Sequence, residues 1–282
     1  MGEGTRLEET RPTGHGRARG LVSSRRSGAR VAARSYEVPE DLRDLVASIW
    51  VGSWELSGQE PHETRLLGDP CVHLVFEESV AAREARVVGV WTTLWRRKLE
   101  GRGRVFGVKM RPGAACALLP GEAHRWTDRV TPWGEGPGED PGLTERVLSA
   151  SRDEDAFEAL ASWARSRRAL ASDLEATALA VRLADRIMTE PALGSVAALA
   201  SSEGVGVRTL QRLFRSHVGA SPKWALMRRR VQEAALRMER GEAGDLAALA
   251  LDLGYADQAH LTRDFKAMTG MSPRAFTSHV WE

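Results

Sequence analysis

The sequence predicts an α+β chain in which a small β-barrel or sandwich precedes an all-α domain built on two helix-turn-helix units. One helical pattern appears between residues 195 and 222 and again, about fifty residues later, between 245 and 273. Segments rich in β-branched and aromatic residues, punctuated by glycine, fill residues 50–133. Six of the nine tryptophans (Trp50, Trp54, Trp91, Trp95, Trp126 and Trp133) fall in that β-rich stretch, and their crowding implies an aromatic interior.

Residues 1–34 carry eight arginines and three glutamates among Gly, Ser and Thr, with almost no large apolar side chain. Such a segment cannot bury enough surface to offset its ordering entropy, so it is expected to be a disordered basic arm that adds unspecific DNA attraction or has no role of its own. The fold is expected to begin near Tyr36. In DLRDLVASIW, Leu42, Leu45, Val46 and Ile49 keep helical spacing and predict a short helix. CVHLVFE, ARVVGVWTTLW and RVFGVKMRPG read as strands, giving a β-rich sensor or dimerisation domain over 35–145. A Gly/Pro-rich loop, WGEGPGEDPG at 133–142, leads to helices in LTERVLSAS and DEDAFEALASWARSRRALA, and residues 146–174 are expected to connect the domains.

The repeat occupies the helical domain, 175–282. Its copies read SVAALASSEGVGVRTLQRLFRSHVGASP and DLAALALDLGYADQAHLTRDFKAMTGMSP. Each holds an Ala-x-x-x-Gly turn, Ala200 with Gly204 and Ala250 with Gly254, in which glycine suits a residue of positive φ at the end of a helix. The copies align with an offset of 50 up to that glycine and of 51 from Leu210/Leu261 onward, so the second turn holds one extra residue. In the second helix of each unit, Leu210, Leu213, Phe214 and Val218, and likewise Leu261, Phe265 and Met268, mark a buried face. The opposite face carries Arg208, Thr209, Gln211, Arg212 and Arg215 in the first copy and Gln258, Thr262, Arg263 and Lys266 in the second. These side-chain types read base edges and hold phosphates, which makes the nine residues the candidate DNA-binding set. Arg212 and Arg263 stand at equivalent places in matched L-x-R-x-F cores. Between the units, Ser221 and Pro222 predict an N-cap with Pro at N1, opening a helix through about Met238 that is about 28 Å long at 1.5 Å per residue. A rod of that length holds two reading helices near the roughly 34 Å of one DNA turn.

On these residues the stretch from Glu175 to Trp281 resembles the DNA-binding domain of the AraC-type (AraC/XylS) transcription regulators, GYADQAHLTRDFKAMTGMSP being a close match to that family's signature. The resemblance also covers Arg230, Val231 and Ala234 of the connecting helix. It implies a seven-helix, two-subdomain unit whose third and sixth helices enter DNA. Gly206 departs from the pattern, because the family often has Ser as the cap of the first reading helix, and glycine caps less well. A weaker resemblance links FGVKMRPGAACALLPGEAHRWTDRV to the cupin-like N-terminal half of some of these regulators. The partners implied are double-stranded DNA, a small-molecule effector, RNA polymerase and a second copy of the chain.

Charge and composition bound the alternatives. The net charge is +2, with an excess of five positive charges in 1–34, five negative in 35–174 and two positive in 175–282. Phosphate affinity is therefore expected from local clusters such as Arg228, Arg229 and Arg230, a run that also reads as a solvated helix face, with Arg230 a candidate structural ion-pair residue as well. Two cysteines, Cys71 and Cys116, form neither a disulfide framework nor a metal set, and a reducing cytoplasm is the simplest setting. No apolar run reaches membrane-spanning length, so no membrane partner is expected. His62, His73 and His124 with Glu77 lack the close H-x-H pairing of a cupin metal site, and no nucleophile, phosphate or dinucleotide motif appears. The expectation is a cytoplasmic DNA-binding regulator that is no enzyme and has no cofactor. The competing class is a cupin-like metal enzyme tethered to DNA by the C-terminal domain.

Overall fold

Among the described residues the N-terminal part of the chain holds eight strands, all paired antiparallel. They are β1 (Val31–Tyr36), β2 (Val46–Leu56), β3 (His62–Leu66), β4 (His73–Ser79), β5 (Arg83–Val88), β6 (Trp95–Leu99), β7 (Gly101–Met110) and β8 (Val130–Trp133). The computed structural model describes residues 31–134 and 139–281, so most of the expected basic arm and the middle of the Gly/Pro-rich loop lie outside the described residues. The strands form a six-stranded sheet in the order β1-β2-β7-β4-β5-β8 and a separate ribbon of β3 with β6. The last four residues of the expected arm, 31–34, belong to β1, where they pair with Val51–Trp54 of β2.

One face of the sheet carries the main core: Ile49, Val51, Leu74, Phe76, Val87, Phe106, Val108 and Met110. Helices α1 (Ala115–Leu118), α2 (Pro141–Leu148) and α3 (Asp153–Leu170) cover it. In α3 the buried residues Ala156, Leu160, Ala161, Trp163 and Ala164 all pack into this core. The apolar face of α3 is thus consumed within the chain.

The other face is smaller and aromatic. Trp54, Leu56, Val75 and Val105 meet Leu99 of β6 there, with Trp50 against them. Trp50 and Trp54 lie across Gly107 and Gly103 of β7, their register partners, so a Cβ at either glycine would fall 2.4 Å or 2.1 Å from an indole carbon. The tryptophans do not share one interior: Trp126 and Trp133 belong to the main core, and Trp91 and Trp95 are only partly buried.

The helix expected over 41–50 is absent. A short 3-10 turn, Glu40–Leu42, gives way to β2 at Val46. The cause is a register shift between Val46 and Ser48, which leaves Ala47 as an extra residue in the strand. A bulge of this kind puts residues three apart on one face, so Val46 and Ile49 imitate helical spacing while sitting in a strand.

Seven helices complete the chain: α4 (Leu174–Thr189), α5 (Val196–Ser202), α6 (Val207–Leu213, continued by a π turn at Phe214–Val218), α7 (Pro222–Glu239), α8 (Leu246–Asp252), α9 (Gln258–Thr269) and α10 (Pro273–Trp281). They form two lobes with separate cores. Leu183, Ile187, Leu199, Leu210, Phe214 and Leu226 build the first, and Val231, Met238, Leu249, Leu261, Phe265 and Phe276 the second. Among the described residues only α7 supplies buried residues to both.

The glycines under the tryptophans give a direct check on this packing. Gly107→Ala should force Trp50 out of place and cost about 1 to 3 kcal/mol, as overpacked sites do. A lowered urea midpoint with an unchanged slope is the expected reading.

Candidate nucleic-acid interface

Two turns of the same chemistry build the interface. At the end of α5 the Gly204 amide donates to Ser201 O at 3.2 Å and the Val205 amide to Ala200 O at 3.0 Å. At the end of α8 the Gly254 amide donates to Leu251 O and the Tyr255 amide to Ala250 O, both at 2.9 Å. This pair of bonds is the Schellman closure, which needs a left-handed residue. Gly204 and Gly254 supply it at φ +64° and +76°. Ala200 and Ala250 are buried at the crossing, where a larger side chain would push the next helix away.

The reading helices α6 and α9 then start one residue apart in alignment, at Val207 and Gln258. The Asp257 side chain caps α9 by accepting from the His260 amide at 2.7 Å, whereas Gly206 offers α6 no side-chain cap. The two helices also end differently. Thr269 closes α9 as an ordinary α-helix, with the Gly270 amide donating to Lys266 O. In the first unit the Gly219 amide reaches one residue further back, to Phe214 O. The Ser216 hydroxyl takes the Arg212 and Leu213 carbonyls, each at 3.1 Å, and a side chain inserted into the ladder opens a π turn.

The inner faces are as expected: Leu210, Phe214 and Val218, and Leu261, Phe265 and Met268, are buried, while Leu213 is half-buried. On the outer faces Arg208, Thr209, Gln211, Arg212 and Arg215 of the first unit and Gln258, Arg263 and Lys266 of the second are exposed, and Thr262 is half-buried. Among the described residues none of these nine side chains takes part in a hydrogen bond or ion pair. The contrast with the rest of the domain is sharp. On α4, Arg182 and Arg186 are held by Glu190 and Glu203.

The Arg228-Arg229-Arg230 run corrects the sequence reading, which expected a phosphate-binding cluster. Arg228 is 2% exposed and donates to Gly68 O and to Gln232 Oε1. Arg229 donates to the carbonyls of Ile187, Glu190, Pro191 and Leu193, closing the C-terminus of α4. Arg230 donates to Gly194 O at 2.8 Å and stacks 5.4 Å from the Tyr255 ring centroid. Alternate sides of one helix face three different bodies, so consecutive arginines are all consumed by structure.

The considered metal residues do not converge. Among the described residues no group of three or more His, Cys, Asp or Glu is placed to hold an ion. Burial raises the Glu77 carboxyl, but hydrogen bonds from Arg86 and Arg97 outweigh it and hold the group low. His73 lies edge-on to Trp50, and burial presses its imidazole down to about 4. Burial pushes the Cys71 thiol up and the Cys116 thiol to about 11, which leaves neither a ready nucleophile.

Comparison with known proteins agrees with this geometry. Residues 199–279 match the family model described as a helix-turn-helix domain. A protein of Streptomyces antibioticus named as an AraC-like transcription regulator is 36% identical over 85 residues, which is 30% of this chain and 28% of that protein. The C-terminal domain is an AraC-type helix-turn-helix domain. A counterpart in Streptomyces lividans is 35% identical over 85 residues, and an HTH-type transcriptional regulator of Haemophilus influenzae is 35% identical over 69. The chain thus spans under a third of the length of the curated relatives it matches. Outside the AraC-type domain, residues 34–132 match a domain of unknown function, DUF6597. ToxT of Vibrio cholerae superposes at TM-score 0.40 and 11% identity over 78% of this chain and 98% of its own, a loose likeness that decides nothing.

The asymmetry between the two turns is testable. Gly206 has extended backbone at φ −72°, and a Cβ there would meet only Thr209 Oγ1, at an ordinary contact distance of 3.9 Å, so Gly206→Ser supplies the missing cap and should add a few tenths of a kcal/mol. Gly204→Ala puts a Cβ in the left-handed region and should cost about 1 to 2 kcal/mol. Denaturant titration of both variants distinguishes the two signs.

Proposed function

We propose that the protein is a sequence-specific transcription regulator that reads two successive major grooves with α6 and α9. The observation that carries this reading is the pair of outer faces. Two helices with the same turn chemistry, joined by one 18-residue helix, each present a row of Arg, Gln, Thr or Lys side chains that the fold leaves without partners. Unpaired guanidinium and amide groups on a helix of groove-filling width are suited to base edges and phosphates. In this reading Arg208, Thr209, Gln211, Arg212 and Arg215, with Gln258, Thr262, Arg263 and Lys266, form the DNA-contacting set.

The N-terminal domain is the sensor in the same reading, with a small-molecule effector as its input. RNA polymerase and a second copy of the chain are the proposed protein partners, in the cytoplasm. Among the described residues no helix is long and apolar enough to cross a membrane. A metal-enzyme role for the sheet domain is favoured by no observation, since Glu77 is occupied by arginines and His73 by Trp50.

Selection of bound fragments from a random DNA pool tests the assignment, and Arg212 and Arg263 sharpen it. Each replacement by Ala should cost about 1 to 3 kcal/mol on the selected site and relax preference at one position only. The two relaxed positions should lie about 10 base pairs apart. Uniform weakening on all sequences would place both arginines on phosphates instead.

A further inference from the structure

The two lobes of the AraC-type domain are joined by α7 alone, yet neither is free. Leu67, from the loop between β3 and β4, is 4% exposed inside the core of the second lobe. Ala220, two residues before α7, and Val181 of α4 belong to the core of the N-terminal domain. The partly buried Trp224 packs against all three cores at once, and its indole N–H donates to Thr92 O at 3.0 Å. One turn further along α7, the buried Arg228 donates to Gly68 O and stands 4.0 Å from Asp69, which Lys109 also holds.

The same domain touches the C-terminal end of each reading helix. Thr127 Oγ1 donates to Gly219 O at 2.6 Å, beyond the π turn of α6, and Cys116 Sγ donates to Ser216 O at 3.0 Å. At the other lobe a Cβ on Gly270, the C-cap residue just after α9, would meet Leu94 at 3.2 Å. The sheet domain therefore bridges the outer ends of a two-lobed object whose only covalent link is one helix. A single α-helix between two packed lobes bends and twists, whereas a triangle of contacts does not.

We propose that the N-terminal domain is a brace that sets the distance and angle between α6 and α9, with Trp224 and Arg228 as its positioning residues. Its consequence for DNA rests on the reading given under Proposed function: the braced protein accepts one spacing between the two recognised positions. A signal that loosens the 67–69 or 92–94 loop would change which spacing is read, without touching a DNA-contacting side chain.

The test has two arms, so that failure of the brace and failure of DNA reading are told apart. Ser201→Cys and Leu251→Cys place spin labels on exposed positions of α5 and α8, one in each lobe, in the full chain. Cys71 is buried and Cys116 partly buried, and labelling of the chain without the two new cysteines measures the background they contribute. The distance distribution should be single and narrow, and it should broaden in Arg228→Gln and in Trp224→Phe. Leu67→Ala, made on the other side of the junction, should broaden it too, and a retained thermal transition identifies the variants that are folded. An unchanged width in the folded variants overturns the brace.

In the second arm, inserting one base pair between the two positions of a pool-selected site should weaken wild-type binding about tenfold or more, the scale of a lost base-pair contact. The same insertion should weaken Arg228→Gln by less than about threefold. Equal penalties in both proteins overturn the spacing role. If the wild type selects no sequence at all, the DNA-reading assignment falls and the label widths still decide the brace.

Discussion

A guanidinium buried to 2% exposure has to be hydrogen-bonded where it lies, because an unpaired buried charge costs several kcal/mol. Arg228 meets that demand with a backbone carbonyl of Gly68, 160 residues away, and a glutamine on its own helix. The Asp69 carboxyl beside it is pushed up by burial, but Lys109 and then Arg228 outweigh that and hold it well below the usual carboxylate range. The loop and α7 are thus committed to each other: separating them strands a cation on one side and the Gly68 carbonyl on the other, while Asp69 keeps only Lys109. The orientation of the helical domain against the sheet follows from closing this junction, with Trp224 filling the space where three cores meet.

Around that junction the chain divides its labour by side-chain commitment. Arginines on α4 and α7 are spent on carboxylates, helix ends and the domain boundary, while those on the outer faces of α6 and α9 are not. The two reading units share a turn but not an ending. Asp257 caps α9 and its last turn stays α-helical; α6 lacks a side-chain cap and ends in a π turn whose Ser216 carbonyl is bound by Cys116 of the sheet domain. The first unit is the one whose local sequence holds it less firmly and whose neighbours hold it more.

What could be read from the sequence follows from the range of the forces involved. The Ala-x-x-x-Gly turns, the Ser221 cap and the buried leucines and phenylalanines of the repeat were legible because each is settled within a few residues. The helical spacing over 41–50 misled for an equally local reason, since a bulge at Ala47 gives Val46 and Ile49 the same three-residue interval. The fate of Arg228, Arg229 and Arg230 was not legible. Three adjacent arginines look like a solvated basic face, and only the approach of Gly68, the end of α4 and Tyr255 reveals that all three are occupied. The split of the tryptophans between the two faces of the sheet depends likewise on which strands neighbour β7, a long-range matter.

Hydroxyl-radical footprinting of the full chain on a pool-selected fragment tests most directly whether this domain reads DNA with both of its helices. Two protected patches centred about 10 base pairs apart on one face of the duplex are expected. A single patch, or protection that does not depend on sequence, would contradict the account.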